Sequence, residues 1–124
     1  MTIMVGGDLK MPSMRLNGQI AVITGGGRGL GRACALALGQ AGAETVLVSR
    51  TLSELQEVED TIRAGGGIAS SIECDVTDAG QVGATIGQLD RIDVLVNGAG
   101  INIPEPFLNV TEDHFDQTLS LIHI

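Results

Sequence analysis

Thr24-Gly25-Gly26-Gly27-Arg28-Gly29-Leu30-Gly31 is the stretch whose residue types most clearly suit chemistry. An apolar run, Ile20 to Ile23, leads into it, and an Ala/Leu-rich run, Ala33 to Leu38, leaves it. That context predicts strand, glycine turn and helix. Such a turn presents backbone N–H groups at a helix N-terminus, where unpaired donors and the positive dipole end together suit the pyrophosphate of a dinucleotide. Side chains larger than hydrogen would hold the phosphates away. Gly25 and Gly29 therefore read as turn and close-approach positions, and Gly31 as the place where the helix packs tightly on a sheet. Gly27, Arg28 and Leu30 complete the candidate phosphate-binding turn. No Gly-Lys-Ser/Thr follows, which separates it from the phosphate loop of nucleotide hydrolases.

The second chemical position is Val48-Ser49-Arg50-Thr51, at the end of the next apolar run. A site for NAD would carry a carboxylate there to accept from the ribose hydroxyls. None occurs between Thr45 and Ser53. Arg50 instead offers a guanidinium fork for a 2′-phosphate, with Ser49 as hydroxyl donor, and Arg28 could reach the same group. NADP(H) is the expected cofactor over NAD(H). The alternative leaves Arg50 covering the adenine face and Arg28 as a solvated loop cation.

The elements that must position these residues follow from hydropathy. Strands are expected at Ile20–Thr24, Thr45–Val48, Ile68–Cys74 and Asp93–Val96, short and apolar as in a sheet covered on both faces. A helix over about Gly29–Ala41 ends at Gly42, a natural C′ residue. A second opens with Thr51 and Glu54 as a capping box, carries Leu52, Leu55, Val58 and Ile62 on one face, and stops at Gly65-Gly66-Gly67. A third buries Val82, Ile86 and Leu89, and a fourth begins near Glu112, capped by Thr111 after the Pro104-Glu105-Pro106 loop. His114 reads as a solvated position on that last helix. The pattern βαβαβαβ predicts an α/β fold: a Rossmann-type, doubly wound parallel sheet with right-handed crossovers, its N-terminal half in strand order 3-2-1-4. Ligands of such a sheet lie at the carboxyl ends of its strands. Asp75-Val76 and Asn97-Gly98-Ala99-Gly100 fall at two of those ends. Helix capping is the competing role for Asp75.

Composition narrows the partners. The 124 residues carry a formal charge of −8, which argues against nucleic acid and anionic membrane surfaces. No apolar run approaches the ~20 residues of a membrane-spanning helix. Cys34 and Cys74 stand apart, without the spacing of a metal site or disulfide framework, and read as buried structural thiols. A signal-peptide pattern is absent from the first residues, so a cytoplasmic setting is expected. Met4, Met11 and Met14 offer alternative starts, and residues 1–14 are expected to be a disordered leader or a mis-assigned start.

Taken together, T-G-x-x-x-G-x-G, the basic residue after the second strand, Asp75-Val76 and Asn97-Gly98-Ala99-Gly100 resemble the classical short-chain dehydrogenase/reductase family. The resemblance covers about Leu16 to Leu119 and is nearest in kind to reductases of 3-oxoacyl thioesters and sugar-acid or polyol dehydrogenases. It implies an oxidoreductase that transfers hydride between a nicotinamide cofactor and a small carbonyl or alcohol substrate, usually as a homo-oligomer (tetramer or dimer). It implies that the Asp75 carboxylate accepts from the adenine amino group, with the Val76 backbone assisting, and that Asn97 lies beside the adenosine ribose. The family usually carries Asn-Asn-Ala-Gly where this chain has Asn97-Gly98-Ala99-Gly100, a departure that bears on a sheet-stabilising hydrogen bond.

The family's chemistry needs a Tyr acid/base, a Lys four residues beyond it, a carbonyl-polarising Ser and a supporting Asn. This chain has no Tyr, its single Lys is Lys10, and Ile122 stands where the Asn is expected. No catalytic residue is therefore assigned, and an NAD(P)-binding fragment, residues 15–118, without turnover and of poor solubility is expected. Leu119-Ser120-Leu121-Ile122-His123-Ile124 is also the direct translation of CTGTCTCTTATACACATC, the transposase mosaic end used in tagmentation libraries. Residues 119–124 are accordingly expected to be adapter read-through, the alternative being an ordinary apolar helix end. The rival functional reading is a non-catalytic nucleotide-binding module, regulatory or redox-sensing.

Overall fold

The computed structural model describes residues 13–100 and 104–122. Most of the expected leader, Lys10 and the last two residues of the 119–124 stretch lie outside that range. Four strands, β1 (Ile20–Thr24), β2 (Glu44–Ser49), β3 (Ile68–Glu73) and β4 (Val94–Asn97), form one parallel sheet in the order β3-β2-β1-β4. Between them run α1 (Gly29–Gln40), α2 (Leu52–Ala64) and α3 (Ala79–Gly87); a short 3-10 turn, Phe107–Asn109, precedes α4 (Glu112–Ile122). This is the Rossmann-type order expected from the alternating apolar runs.

Each strand splits its side chains between two layers, because successive residues point to opposite faces. Ala21, Ile23, Leu47 and Ala69 pack with Ala35 of α1 and Leu55, Val58 and Ile62 of α2. Val22, Val46, Val48 and Cys74 face the other way, under Val82 and Leu89 from α3 and the segment after it. Full burial of a Leu or Ile side chain contributes about 1.5–3 kcal/mol, so Ile23, Leu47 and Leu55, all inaccessible, anchor the first layer. Cys74 is buried, as expected of a structural thiol, whereas Cys34 on α1 is half-buried.

Helix ends follow local chemistry, with two departures from expectation. Gly42 and Gly66 adopt left-handed φ values of 97° and 87° just past α1 and α2, where only glycine turns freely. Thr111 caps α4 by accepting from the His114 N–H at 3.2 Å. At α2, however, no capping box forms. Ser49 Oγ accepts from the Thr51 N–H at 3.2 Å and the Thr51 side chain makes no cap bond, so the strand-end hydroxyl, not the helix, claims this turn. On α3 the inward stripe is the half-buried Val82 and the buried Thr85, continued by the half-buried Leu89 just past the helix, while Ile86 is 52 % exposed. Both i, i+3, i+7 and i, i+4, i+7 are helical spacings. Hydropathy selects Ile86; the packing selects Thr85.

Candidate functional site

The carboxyl ends of the strands open onto a cleft of about 730 Å³. Its floor is the glycine turn between β1 and α1, contributing Gly25, Gly27, Arg28, Gly29 and Leu30. Gly25 (φ 66°) and Gly29 (φ 59°) both hold the left-handed conformation that favours glycine. A Cβ on Gly25 would sit 2.6 Å from the carbonyl carbon and oxygen of Gly98, so the loops after β1 and β4 touch backbone to backbone. Gly31 lies behind the turn and off the cleft lining; a Cβ there would strike the Gly25 carbonyl, which is the tight packing expected of that position. Arg28 occupies the N-cap of α1 without a side-chain cap bond, which leaves the first-turn N–H groups uncapped by any side chain.

One wall comes from the end of β2 and the start of α2, with Ser49, Arg50 and Thr51. Arg28 and Arg50 thus line the same cleft, which is what a shared anion would require. Glu54, in the first turn of α2, packs against the glycine turn: a Cβ on Gly27 would meet its side chain at 2.9 Å.

The adjoining wall follows β3, with Cys74, Asp75, Val76 and Thr77. Asp75 does not cap α3. That role belongs to Asp78, whose Oδ1 accepts from the Gly80 and Gln81 N–H groups at 2.9 and 3.1 Å. Asp75 instead accepts twice from Thr77 at one oxygen. The Thr77 hydroxyl first, then its N–H, with a smaller contribution from the Arg50 charge, hold the Asp75 carboxyl below the ordinary carboxylate range.

Gly98, Ala99 and Gly100 close the far side. Asn97 pairs in register with Thr24 at the end of β4 and stays off the cleft lining. At Gly98, where the resembling family has Asn, a Cβ would stand 2.6 Å from the Thr24 carbonyl oxygen. The link to β1 is made by backbone instead: the Gly98 N–H donates to the Thr24 carbonyl at 3.0 Å and lies 3.2 Å from Thr24 Oγ1. Gln117, Ser120 and Leu121 of α4 also reach the cleft. His114 is not simply solvated; its Nδ1 lies 2.9 Å from Glu105 Oε1, tying α4 to the proline loop.

All of the predicted site residues except Gly31 and Asn97 therefore line one cleft. Sequence reasoning missed Thr51, Cys74, Thr77 and the three α4 residues. Thr77 was within reach, since Asp-x-Thr is a common side-chain-to-backbone turn. No local pattern announces the α4 residues, which come from far along the chain. Among the described residues no group of three or more His, Cys, Asp or Glu could hold a metal, and no helix is long and apolar enough to cross a membrane.

Comparison with known proteins bears on this geometry. A family model described as short chain dehydrogenase matches residues 19–122. An uncharacterized oxidoreductase of Mycobacterium tuberculosis is 43 % identical over 101 residues, covering 78 % of this chain and 38 % of its own. L-xylulose reductase of Bos taurus is 35 % identical over 108 residues, 87 % of this chain and 43 % of that enzyme. The crystal structure of a metagenomic short-chain oxidoreductase in complex with NADP superposes with a TM-score of 0.79 at 37 % identity, covering 86 % of this chain and 50 % of that one. The chain thus spans about two fifths of the length of these two curated relatives.

Proposed function

The chain belongs to the short chain dehydrogenase family of oxidoreductases, and on that premise we propose that it supplies the cofactor-binding part of an NADP(H)-dependent enzyme acting on a small carbonyl or alcohol. The observation that carries the NADP(H) preference is the presence of Arg28 and Arg50 on one cleft with the glycine turn. A 2′-phosphate brings negative charge and acceptor oxygens to which a guanidinium donates in pairs. The relative solved with NADP supports the same cofactor.

The residues fit such a group. Neighbouring backbone fills the space a side chain would need at Gly25 and Gly31, which keeps the turn tight, and the first-turn N–H groups of α1 carry no side-chain cap that would compete with a pyrophosphate. Arg50 and Ser49 would hold the 2′-phosphate, Asp75 and Val76 the adenine, and Asn97 the ribose side through the loop it begins. When bound, a nicotinamide supplies hydride transfer to or from the carbonyl carbon of the substrate. The chain's own contribution is binding and orientation. None of its residues is assigned to the proton transfer, in line with the absence of Tyr. The parent protein is proposed to be a cytoplasmic homo-oligomer, as its family usually is.

The test is a pair of titrations with NADPH and NADH, followed by the Arg50→Ala variant. Wild type should bind NADPH at least about ten-fold more tightly, and the variant should lose most of that margin while NADH binding stays constant. Equal affinities in wild type, or an unchanged ratio in the variant, would remove the NADP(H) assignment.

A further inference from the structure

The Asp75 side chain is held more firmly than an exposed carboxylate ordinarily is. Thr77 donates to its Oδ1 twice, from Oγ1 at 2.6 Å and from the backbone N–H at 3.0 Å. The backbone is pinned as well. Gln81 Oε1 accepts from the Asp75 N–H at 2.9 Å, and Gln81 Nε2 donates to Asp78 Oδ2 at 3.1 Å. The Asp78 N–H returns to the Asp75 carbonyl at 3.0 Å, and Asp78 caps α3. The loop that carries Asp75, Val76 and Thr77 along the cleft is thereby locked to the first turn of α3.

An aspartate's two oxygens are equivalent until something distinguishes them, because its last torsion is broad and two-fold. Here Oδ1 is occupied by two donors, whereas Oδ2 accepts no hydrogen bond from the described residues. Resting on the cofactor reading above, we propose that Thr77 is a positioning residue that reserves Asp75 Oδ2 as the acceptor for the exocyclic amino group of the bound purine. The site would then select a 6-amino purine over a 6-oxo purine. An amino group donates to the reserved oxygen, while a 6-oxo group presents a lone pair to a fixed negative charge. The carboxyl is ionised, hence acceptor-only, at neutral pH, and the same two Thr77 bonds favour that form further.

The experiment is calorimetric titration of the full chain with NADP and with its hypoxanthine analogue, for wild type, Thr77→Val and Thr77→Ser. Wild type should prefer NADP by about ten-fold or more, the scale of one hydrogen bond to a charged group. Thr77→Val keeps the side-chain shape and removes the hydroxyl. It should weaken NADP by about three- to ten-fold and leave the hypoxanthine analogue unchanged, so that the preference collapses. Thr77→Ser should restore it. Equal loss for both ligands in Thr77→Val, or no preference in wild type, would overturn the positioning role while leaving the cofactor reading intact. Binding of neither ligand by a wild-type chain that melts cooperatively would overturn the cofactor reading, and this inference with it.

Discussion

The two flanks of the sheet are built differently. On the β3 side, α2 lays Leu55, Val58 and Ile62 into the core, and Arg63 reaches back to the Ala69 carbonyl with Nε and Nη2 at 3.2 and 2.9 Å. Glu59 accepts from Ser71 Oγ and pairs with Arg63, each at 2.8 Å. Side chains thus bridge this outer strand to the helix that covers it, which blunts an edge that would otherwise invite pairing. On the β4 side, Leu95 is 57 % exposed, and the described residues place no strand beyond it. Beyond its pairing with β1, β4 is tied at both ends: by the Gly98 backbone against Thr24, and by Asp93 and Arg91 against Ile20 and Gly18. Side chains bridge one outer strand to the helix that covers it; the other outer strand turns Val94 and Val96 to the core and leaves Leu95 bare.

Truncation in the closed flank should have the largest effect. Leu55→Ala removes a fully buried side chain and should cost about 2–5 kcal/mol in urea unfolding. Leu95→Ala on the open flank should stay within about 0.5 kcal/mol. A comparable loss from both would break the contrast and mean that Leu95 is covered in solution. Repeating the Leu95 measurement across a dilution series would then test whether the cover is a second copy.

Next comes the carboxyl-end tie of β4. Gly98→Ala sets a methyl 2.6 Å from the Thr24 carbonyl oxygen, backbone that cannot swing aside. Overpacking of this kind costs about 1–3 kcal/mol. The same change should weaken NADPH binding, because Gly25 of the phosphate-binding turn packs on Gly98. A neutral result in both unfolding and titration would show that the two loops separate without cost and that this tie is not a constraint.

The contrast also explains what could be read from residues alone. Strands buried on both faces give uninterrupted apolar runs, so Ile20–Thr24 and Thr45–Val48 announced themselves, and the sheet order followed from the parallel pattern. The glycine turn was equally legible, since Gly25 and Gly31 are demanded by backbone contacts that leave no room for a Cβ, and Gly29 holds a left-handed φ that favours glycine. Polar bonding was less so. Ser49 displacing the capping box at Thr51, Thr77 loading one oxygen of Asp75, and Glu105 meeting His114 each depend on side-chain geometry that residue types and spacing do not specify. Thr85 replacing Ile86 in the buried stripe is a matter of helix rotation, which hydropathy does not resolve. Contacts of the open flank were least legible, because little packing there constrains them.

The amino-end tie of β4 should give the smallest effect, and its pH dependence identifies its origin. Asp93 Oδ2 accepts from the Ile20 N–H at 2.7 Å and from Arg91 Nε at 3.0 Å. Those bonds, the Ile20 N–H first, hold the carboxyl below its ordinary value. A carboxyl whose folded pKa is depressed binds its proton more readily in the unfolded chain. Its contribution is therefore present above the unfolded value of about 3.9 and is lost as pH falls through the folded one. Asp93→Asn has no such titration. The stability gap between wild type and Asp93→Asn should be widest above about pH 5 and should close as the solution is acidified toward and below the ordinary carboxylate range. Urea midpoints for both proteins at a series of pH values measure it. A gap that persists unchanged at the acid end would mean that the tie works through shape and neutral hydrogen bonding. The charge on β4's amino end would then contribute nothing, and the open flank would rest on its pairing with β1 and the Gly98 contact.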